Sequence, residues 1–229
     1  MTTSRWNISA FSALVAFGLI SVVLVPRPAR SSPGRVSYHD DFSSGRLDAW
    51  QFPFPEDWVI NGQGPLRFLH MIRNREPLVP RRPQQFARLK DVNVGSFVLE
   101  VKVRRMGGSM LIAFGYRDSL HFYYTHLSAD PGAKVDVHNG IFVVDGAPRR
   151  RIAGLEAAPV LPDTDWHRIR VDRNVRSGSI EVFVDDDSRP RFSVVDRTFG
   201  CGQVGLGSFD ETGDFADFKL ISNDAGCHP

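Results

Sequence analysis

The sequence predicts an all-β protein built as a two-sheet antiparallel sandwich. Two observations predict it. Apolar and polar residues alternate with a period of two over most of the chain after residue 35, and no stretch of ten or more residues beyond the N-terminal segment has a helical period. Glycine and proline are also frequent, at 20 and 15 of 229 residues, as expected for many turns. Many short strands joined by turns are typical of a sandwich or a barrel.

The alternation is clearest in the middle of the chain. In Phe97–Arg104 (FVLEVKVR) the odd positions are apolar and the even ones are mostly charged, which predicts a strand with one face on a core. Residues 166–171 and 180–184 repeat the pattern, and the turn at 176–178 predicts a hairpin between them. We expect further strands at 36–42, 58–60, 66–69, 85–89, 109–116, 122–128, 140–144, 149–153, 191–195, 202–208 and 215–221.

One domain over residues 36–222 accounts for all of these strands and leaves a C-terminal tail at 223–229. The segment 73–84 (RNREPLVPRRPQ), with three prolines and five charges, is the most loop-like insertion. The three tryptophans of the domain, Trp50, Trp58 and Trp166, are expected to pack in or against the core.

The N-terminal segment 1–31 has the layout of a bacterial-type secretory signal. Arg5 provides a positive start, residues 10–25 are apolar or small, and Pro26-Arg27-Pro28 ends the run. An uncleaved signal anchor is the alternative, because the apolar run is nearly long enough to span a bilayer. With either, the domain is exported, to the periplasm, the cell surface or the medium, and it contacts a membrane only if the anchor is retained.

Export changes how the net charge is interpreted. Residues 1–31 hold three arginines and no acid, so their removal leaves 25 basic against 26 acidic residues and a net charge of −1 instead of +2. A nucleic-acid surface requires a clustered basic excess. Nucleic acid is therefore not an expected partner, and the sequence does not indicate an oligomeric state.

The sequence does not decide whether its two cysteines, Cys201 and Cys227, form a disulfide. An exported protein meets an oxidising environment in which they could pair. If the last two strands form a hairpin turning near Thr212, the thiols lie close together. If the last strand crosses to the other sheet, they could remain two free thiols.

The order of motifs resembles the concanavalin A-like jelly rolls, in particular laminin-G-like and 3-keto-disaccharide-hydrolase-like domains. The matching segments are 40–42 (DDF), 58–62 (WVING), 97–101 (FVLEV), 122–124 (FYY), 166–171 (WHRIRV), 180–185 (IEVFVD), 202–206 (GQVGL) and 215–220 (FADFKL). The resemblance covers residues 36–222 and implies a fold rather than one function, because this fold carries lectins, enzymes and adhesion modules.

Two catalytic patterns of these jelly rolls are not found in the sequence, while the keto-sugar branch offers no short motif to compare. A laminarinase-type site needs acids that alternate along one strand, whereas Glu181–Asp187 (EVFVDDD) groups three acids at a strand end. The alginate-lyase pattern is also absent, so the sequence favours a non-catalytic protein over an enzyme. No catalytic cofactor is expected.

The densest candidate ligand site lies between residues 115 and 139. Alternation puts Phe122, Tyr124 and His126 on one face and Tyr123 and Leu127 on the other, and the second set is the better core candidate. The first set would then offer an aromatic ring and a histidine on an open face, which suits a sugar ring. The residues predicted to bind ligand are Tyr116, Arg117, Asp118, Tyr124, His126, His138 and Asn139.

The alternative for this cluster is a structural role, because aromatic residues are common on strands. A structural calcium is implied by the resemblance, with Asp41, Asp217 and a carbonyl near Gly45 as ligands of the type that calcium prefers. In the other interpretation Asp41 only caps a turn.

Three functions follow in order of preference. The first is an exported, non-catalytic carbohydrate-binding (lectin-like) protein whose partner is a glycan. The second is a hydrolase or lyase acting on glycosides or keto-sugars. The third is a laminin-G-like protein-interaction module.

Overall fold

The computed structural model describes residues 34–130, 138–154 and 159–225, together with Met1 and Cys227. The chain divides into two units, Met1–Ser31 and Ser32–Pro229, and the following concerns the second. The predicted signal segment therefore lies outside the described residues. Within those residues, no helix is long and apolar enough to span a membrane.

The described residues form fifteen strands and two single-turn 3-10 helices, Pro55–Asp57 and Gly64–Leu66. The strands are β1 Gly34–Asp40, β2 Trp50–Gln51, β3 Trp58–Asn61, β4 Phe68–Met71, β5 Gln85–Leu89, β6 Phe97–Arg105, β7 Ser109–Asp118, β8 His121–Ser128, β9 Gly140–Asp145, β10 Arg150–Ala153, β11 His167–Asn174, β12 Ser179–Val184, β13 Phe192–Val195, β14 Gln203–Ser208 and β15 Gly213–Ala225.

These strands form two antiparallel sheets. Sheet A has the order β13-β12-β11-β6-β15-β4-β3, with β1 paired to the C-terminal part of β15, and sheet B has the order β10-β9-β8-β7-β14-β5-β2. The predicted all-β sandwich is confirmed. Every predicted strand is present, as is the β11–β12 hairpin, while the two-residue β2 was not predicted and β15 continues to Ala225, beyond the expected domain end at 222.

The core lies between the sheets and follows the alternation of the sequence. On β6 Val101 and Val103 are buried, whereas Lys102 and Arg104 between them face outward. Trp50 and Trp58 are 4% exposed and belong to this core, as predicted. Trp166 does not, because it packs on the outer side of sheet A and is only half-buried.

Cys201 and Cys227, whose pairing the sequence did not decide, form a disulfide. The last strand crosses to the other sheet, since β14 lies in sheet B and β15 in sheet A. The two cysteines nevertheless meet, with Cα atoms 6.1 Å apart, because β15 returns to the end of the sandwich at which β14 begins. The bond therefore ties one sheet to the other.

Residues 72–84, here called the strap, connect β4 to β5 and reach the outer side of sheet B. The strap is anchored at one end by Asp57, which is 0% exposed and accepts hydrogen bonds from Arg75 Nε at 2.6 Å and Gln85 Nε2 at 2.7 Å. At the other end Arg82 Nε donates to the carbonyl of Ser119 between β7 and β8 at 2.6 Å. The loop-like segment predicted from the sequence is thus held at both ends.

Candidate functional site

An open groove lies on the outer face of sheet A, on the side away from the core. Its volume is about 770 Å³. Outward residues of β4, β6, β11 and β15 line it, and the loops after β1, β3 and β12 form its rim. The groove is therefore shaped by one sheet face and by the connections around it.

Two half-buried aromatic rings, Phe68 and Trp166, form one wall of the groove. Their centroids lie 5.7 Å apart with planes at 71°, an edge-to-face arrangement. The Arg104 guanidinium lies 4.6 Å from the Trp166 centroid and 5.1 Å from that of Phe68. Leu66 beside them is 78% exposed. This wall thus offers apolar surface to solvent.

A buried carboxylate holds Arg104 in place. Asp214 on β15 is 1% exposed. Its Oδ2 accepts hydrogen bonds from Arg104 Nε at 2.7 Å and Nη2 at 2.5 Å, and its Oδ1 lies 2.5 Å from His70 Nδ1. Because Arg104 packs on both rings, this network sets their orientation before a ligand arrives.

Asp217 lies on the opposite wall. It has a left-handed φ of +50° at a β-bulge between Ala216 and Lys219. Its Oδ1 is 3.0 Å from His39 Nε2 and 3.1 Å from Lys219 Nζ, and its Oδ2 is 3.8 Å from Lys102 Nζ. Burial raises the pKa of Asp217, but the hydrogen bonds from Lys219 and His39 outweigh burial and hold the pKa below its usual value.

The rim after β12 is built around Asp185, which also has a left-handed φ, +55°. Its Oδ1 accepts from the backbone N–H of Arg168 at 2.9 Å, and its Oδ2 lies 2.9 Å from His167 Nδ1. The other nitrogen of His167 lies 3.0 Å from Asp163 Oδ1. The Arg168 side chain, 55% exposed, points into the groove and lies 3.5 Å from Asp186.

A second cavity of about 250 Å³ adjoins the groove. It shares Lys102, Arg168 and Asp217 with the groove and adds Glu100 and Lys219. The open surface therefore continues across β11, β6 and β15.

The predicted ligand cluster lies on the outer face of sheet B. The assignment of the two faces is correct, since Tyr123 and Leu127 belong to the core between the sheets and Phe122 and Tyr124 to a second cluster. The expectation that the face of Phe122, Tyr124 and His126 is open is wrong. Tyr124 is 0% and His126 2% exposed, because Arg149, Phe209 and His138 pack against them and Arg81 of the strap lies over Phe209.

The contacts under this cover are specific. Arg149 Nη1 donates to the Tyr124 hydroxyl at 3.0 Å, and its guanidinium lies 4.3 Å from the Phe209 centroid. Burial raises the pKa of Tyr124, and it lowers the pKa of His126 well below its usual value. His126 stacks on His138, and its Nε2 is buried with no hydrogen-bond partner in the described structure.

The other predicted ligand residues are spread around the cluster. Asn139 is buried and accepts from the backbone N–H of Ser128, while His138 bonds Asp130. At the far end of β7, Tyr116 packs on Phe122 and Arg88, Asp118 binds its neighbour His121, and Arg117 is exposed. The structure does not bring all seven residues to one open surface. That they bind a ligand stays a prediction.

The expected calcium ligands do not fit a metal ion. Asp217 already pairs with Lys219 and bonds His39, with Lys102 3.8 Å away, and Asp41 Oδ1 accepts from the Ser43 backbone at 2.9 Å, as in the turn-capping alternative. Hydrogen bonds from Ser43 hold the pKa of Asp41 below its usual value. Among residues 34–130, 138–154 and 159–225, no group of three His, Cys, Asp or Glu side chains is arranged to hold a metal. The calcium prediction is not confirmed.

Sequence reasoning missed the groove, because its parts come from distant segments. Phe68 and Trp166 are about a hundred residues apart in the chain, and Arg104 comes from a third strand. The available signal was Trp166 at the start of a strand whose next outward residues are Arg168 and Arg170. A tryptophan on the charged face of a strand is more informative than one on the apolar face.

Two solved structures from Bacillus subtilis show the same architecture. The carbohydrate-binding module CBM66 of Bacillus subtilis has 17% identity and a TM-score of 0.57, with 76% of this chain and 96% of the module covered. A Bacillus subtilis protein of unknown function with a galectin-like fold has 11% identity and a TM-score of 0.54, with 85% and 98% covered. The fold is a concanavalin A-like jelly roll.

The same jelly roll is found within a larger enzyme. The xylan β-1,4-xylosidase of Bacillus halodurans has 13% identity and a TM-score of 0.52, with 86% of this chain but 41% of the enzyme covered. No protein-family model and no curated protein sequence matches the chain. At these identities the likeness defines the concanavalin A-like fold and leaves the function to the site.

Proposed function

We propose that this protein is a non-catalytic carbohydrate-binding module whose ligand lies in the groove on sheet A. The observation that carries the proposal is the solvent-facing pair of Phe68 and Trp166, which Arg104 fixes in orientation. A sugar presents one apolar C–H face, which packs on a flat ring, and hydroxyls around its edge, which require polar partners. Around the rings the groove supplies such partners, among them Arg168, Lys102 and Arg67.

The electrostatics of the groove favour binding over hydrolysis. A glycosidase needs one carboxyl group whose pKa is raised so that it can donate a proton to the leaving group. Asp41 and Asp217, two of the four carboxylates that line the groove, have pKa values below their usual range, which does not suit that role. A glycoside hydrolase is the second candidate, supported by the likeness to part of the xylosidase.

Export is part of the proposal. It is supported by the signal-like segment 1–31 and by the Cys201–Cys227 disulfide, a bond typical of oxidising compartments. Mass spectrometry of the protein produced with its own N-terminus checks it. A mature chain that lacks the segment and is found outside the cytoplasm is expected, and an intact chain in the cytoplasm would contradict export.

The test of the binding function is a glycan array followed by titration calorimetry on wild type and Trp166→Ala. Loss of the ring should weaken binding about tenfold or more, since about 1.4 kcal/mol corresponds to tenfold. Met106→Ala, which removes an exposed apolar side chain outside the groove, is the control and should bind as wild type. Both variants are first checked by thermal unfolding.

Three outcomes would contradict the proposal. Unchanged binding by a folded Trp166→Ala variant would remove the groove from consideration. Release of reducing ends from a bound glycan would make the protein a hydrolase, and binding of no glycan would favour a protein partner. Thermal unfolding with calcium and with EDTA tests the prediction of a structural calcium, which equal unfolding midpoints would contradict.

A further inference from the structure

Two carboxylates of the groove, Asp217 and Asp185, are already held by hydrogen bonds within the protein. Both oxygens of Asp217 are engaged by the protein, Oδ1 by His39 and both oxygens by Lys219. Both oxygens of Asp185 are engaged as well, one by the backbone of Arg168 and the other by a histidine. Acids and bases are similar in number around the groove, but two of its four carboxylates therefore already accept hydrogen bonds from the protein at both oxygens.

The cations of the groove are in the opposite situation. Within the described residues, the guanidinium of Arg168 has one polar contact, to Asp186 at 3.5 Å, and the Asp186 side chain is 96% exposed. Arg67 donates one hydrogen bond, from Nη1 to the carbonyl of Ser43 at 2.9 Å. Lys102 lies 3.8 Å from Asp217, beyond hydrogen-bonding distance. Most of the N–H donors of these three side chains face the groove or solvent.

We propose that the ligand carries a carboxylate and that Arg168 binds it, so that the glycan contains uronic acid. This inference rests on the proposed function. A planar guanidinium pairs with a carboxylate through two parallel hydrogen bonds, which are stronger than neutral ones. The weak contact with Asp186 is displaced, and the exposed Asp186 side chain turns to solvent.

The spacing of the two groups fits this ligand. Arg168 follows Trp166 by two residues and lies on the same outer face, so their Cα atoms are about 7 Å apart in extended chain. A sugar ring stacked on Trp166 therefore directs an edge substituent towards Arg168. The carboxylate of a uronic acid is such a substituent, on the stacked ring or on its neighbour.

Matched glycan pairs test the proposal by calorimetry. Oligogalacturonate and a glucuronoxylan oligosaccharide are each compared with their methyl esters, because the two members of each pair differ mainly in charge. We expect wild type to bind the acidic member about tenfold or more tightly. Arg168→Gln should abolish the preference, Arg168→Lys should keep part of it, and Arg176→Gln should keep it all. Arg176 is an exposed arginine of the β11–β12 turn and matches the charge change.

The failures are distinguishable. Equal binding of both members of a pair, still dependent on Trp166, would overturn the carboxylate proposal and leave the binding function intact. A preference that persists in Arg168→Gln would overturn the role of Arg168. Binding of a sulfated galactan in place of the uronates would assign the site to sulfate esters. Binding of no glycan at all would overturn the proposed function itself.

Discussion

The outer faces of the two sheets use similar side chains with opposite results. On sheet A, Phe68 and Trp166 pack with Arg104 in an open groove. On sheet B, Tyr124 and Phe142 pack with Arg149, but the rings are 0% and 2% exposed. Aromatic and basic residues on a strand therefore do not by themselves define a binding site. Whether such residues can bind a ligand depends on whether another segment of the chain covers them.

The cover on sheet B is the strap and the residues it brings with it. Its contacts are long-range: Arg75 to Asp57, and Arg82 to the carbonyl of Ser119. On sheet A, loops form the rim of the equivalent surface, and no segment among the described residues covers it as the strap does on sheet B. Because the outer face of sheet B is covered and the groove on sheet A is open, substitutions on sheet B should change stability, and substitutions in the groove should change binding.

The largest expected effect is the loss of stability in Phe122→Ala. Phe122 is 0% exposed and packs on Phe86 and Tyr116 under the strap. Truncating a buried phenylalanine should lower the free energy of unfolding by about 3–5 kcal/mol, measured by urea denaturation. Trp166→Ala, at the half-buried position, should cost less. Equal losses in the two variants would break the comparison.

One sequence feature other than period-two alternation indicates that the outer face of sheet B is covered. Residues 110–114 (MLIAF) are apolar without interruption, and all of them are buried. A continuous apolar run is typical of a strand with both faces covered. Such a run predicts that something covers sheet B, but the segment that does so is fixed by contacts such as Arg82 with Ser119, which local patterns do not encode.

The sandwich itself was predictable because alternation and turn residues act locally. The strand containing Val101 and Val103 and the hairpin at Gly178 both follow from neighbours in the chain. The groove was not predictable in the same way. Its rings are oriented by Asp214 through Arg104, and nothing near Asp214 in the sequence indicates that partner.

A smaller effect is expected for Tyr124→Phe, which tests the predicted cluster without removing a ring. The substitution deletes the hydroxyl that accepts from Arg149 at 3.0 Å. It should cost about 1 kcal/mol of stability and leave glycan affinity unchanged, by denaturation and calorimetry respectively. Weakened binding in a folded Tyr124→Phe variant would instead support the ligand site predicted from the sequence.

The smallest effect concerns pH, and the two faces should contribute with opposite sign. Burial, with the nearby Arg149 charge, holds the pKa of His126 low. The stability it contributes is present above its unfolded pKa of about 6.5 and is lost as the pH falls towards the folded value. Burial also lowers the pKa of His167, but the hydrogen bonds to Asp185 and Asp163 outweigh burial and raise it.

The contribution of His167 is therefore fully present below about pH 6.5 and is lost as the pH rises through its folded pKa. Because Asp185 and Asp163 are half exposed, it should amount to about 0.2–1 kcal/mol. Urea midpoints measured across this range should fall less with rising pH in His167→Gln than in wild type, and fall less with falling pH in His126→Gln. His121→Gln, which changes an exposed pair with Asp118, serves as the control. A His167→Gln profile that parallels wild type would mean that the groove side of the molecule does not respond to pH through this histidine.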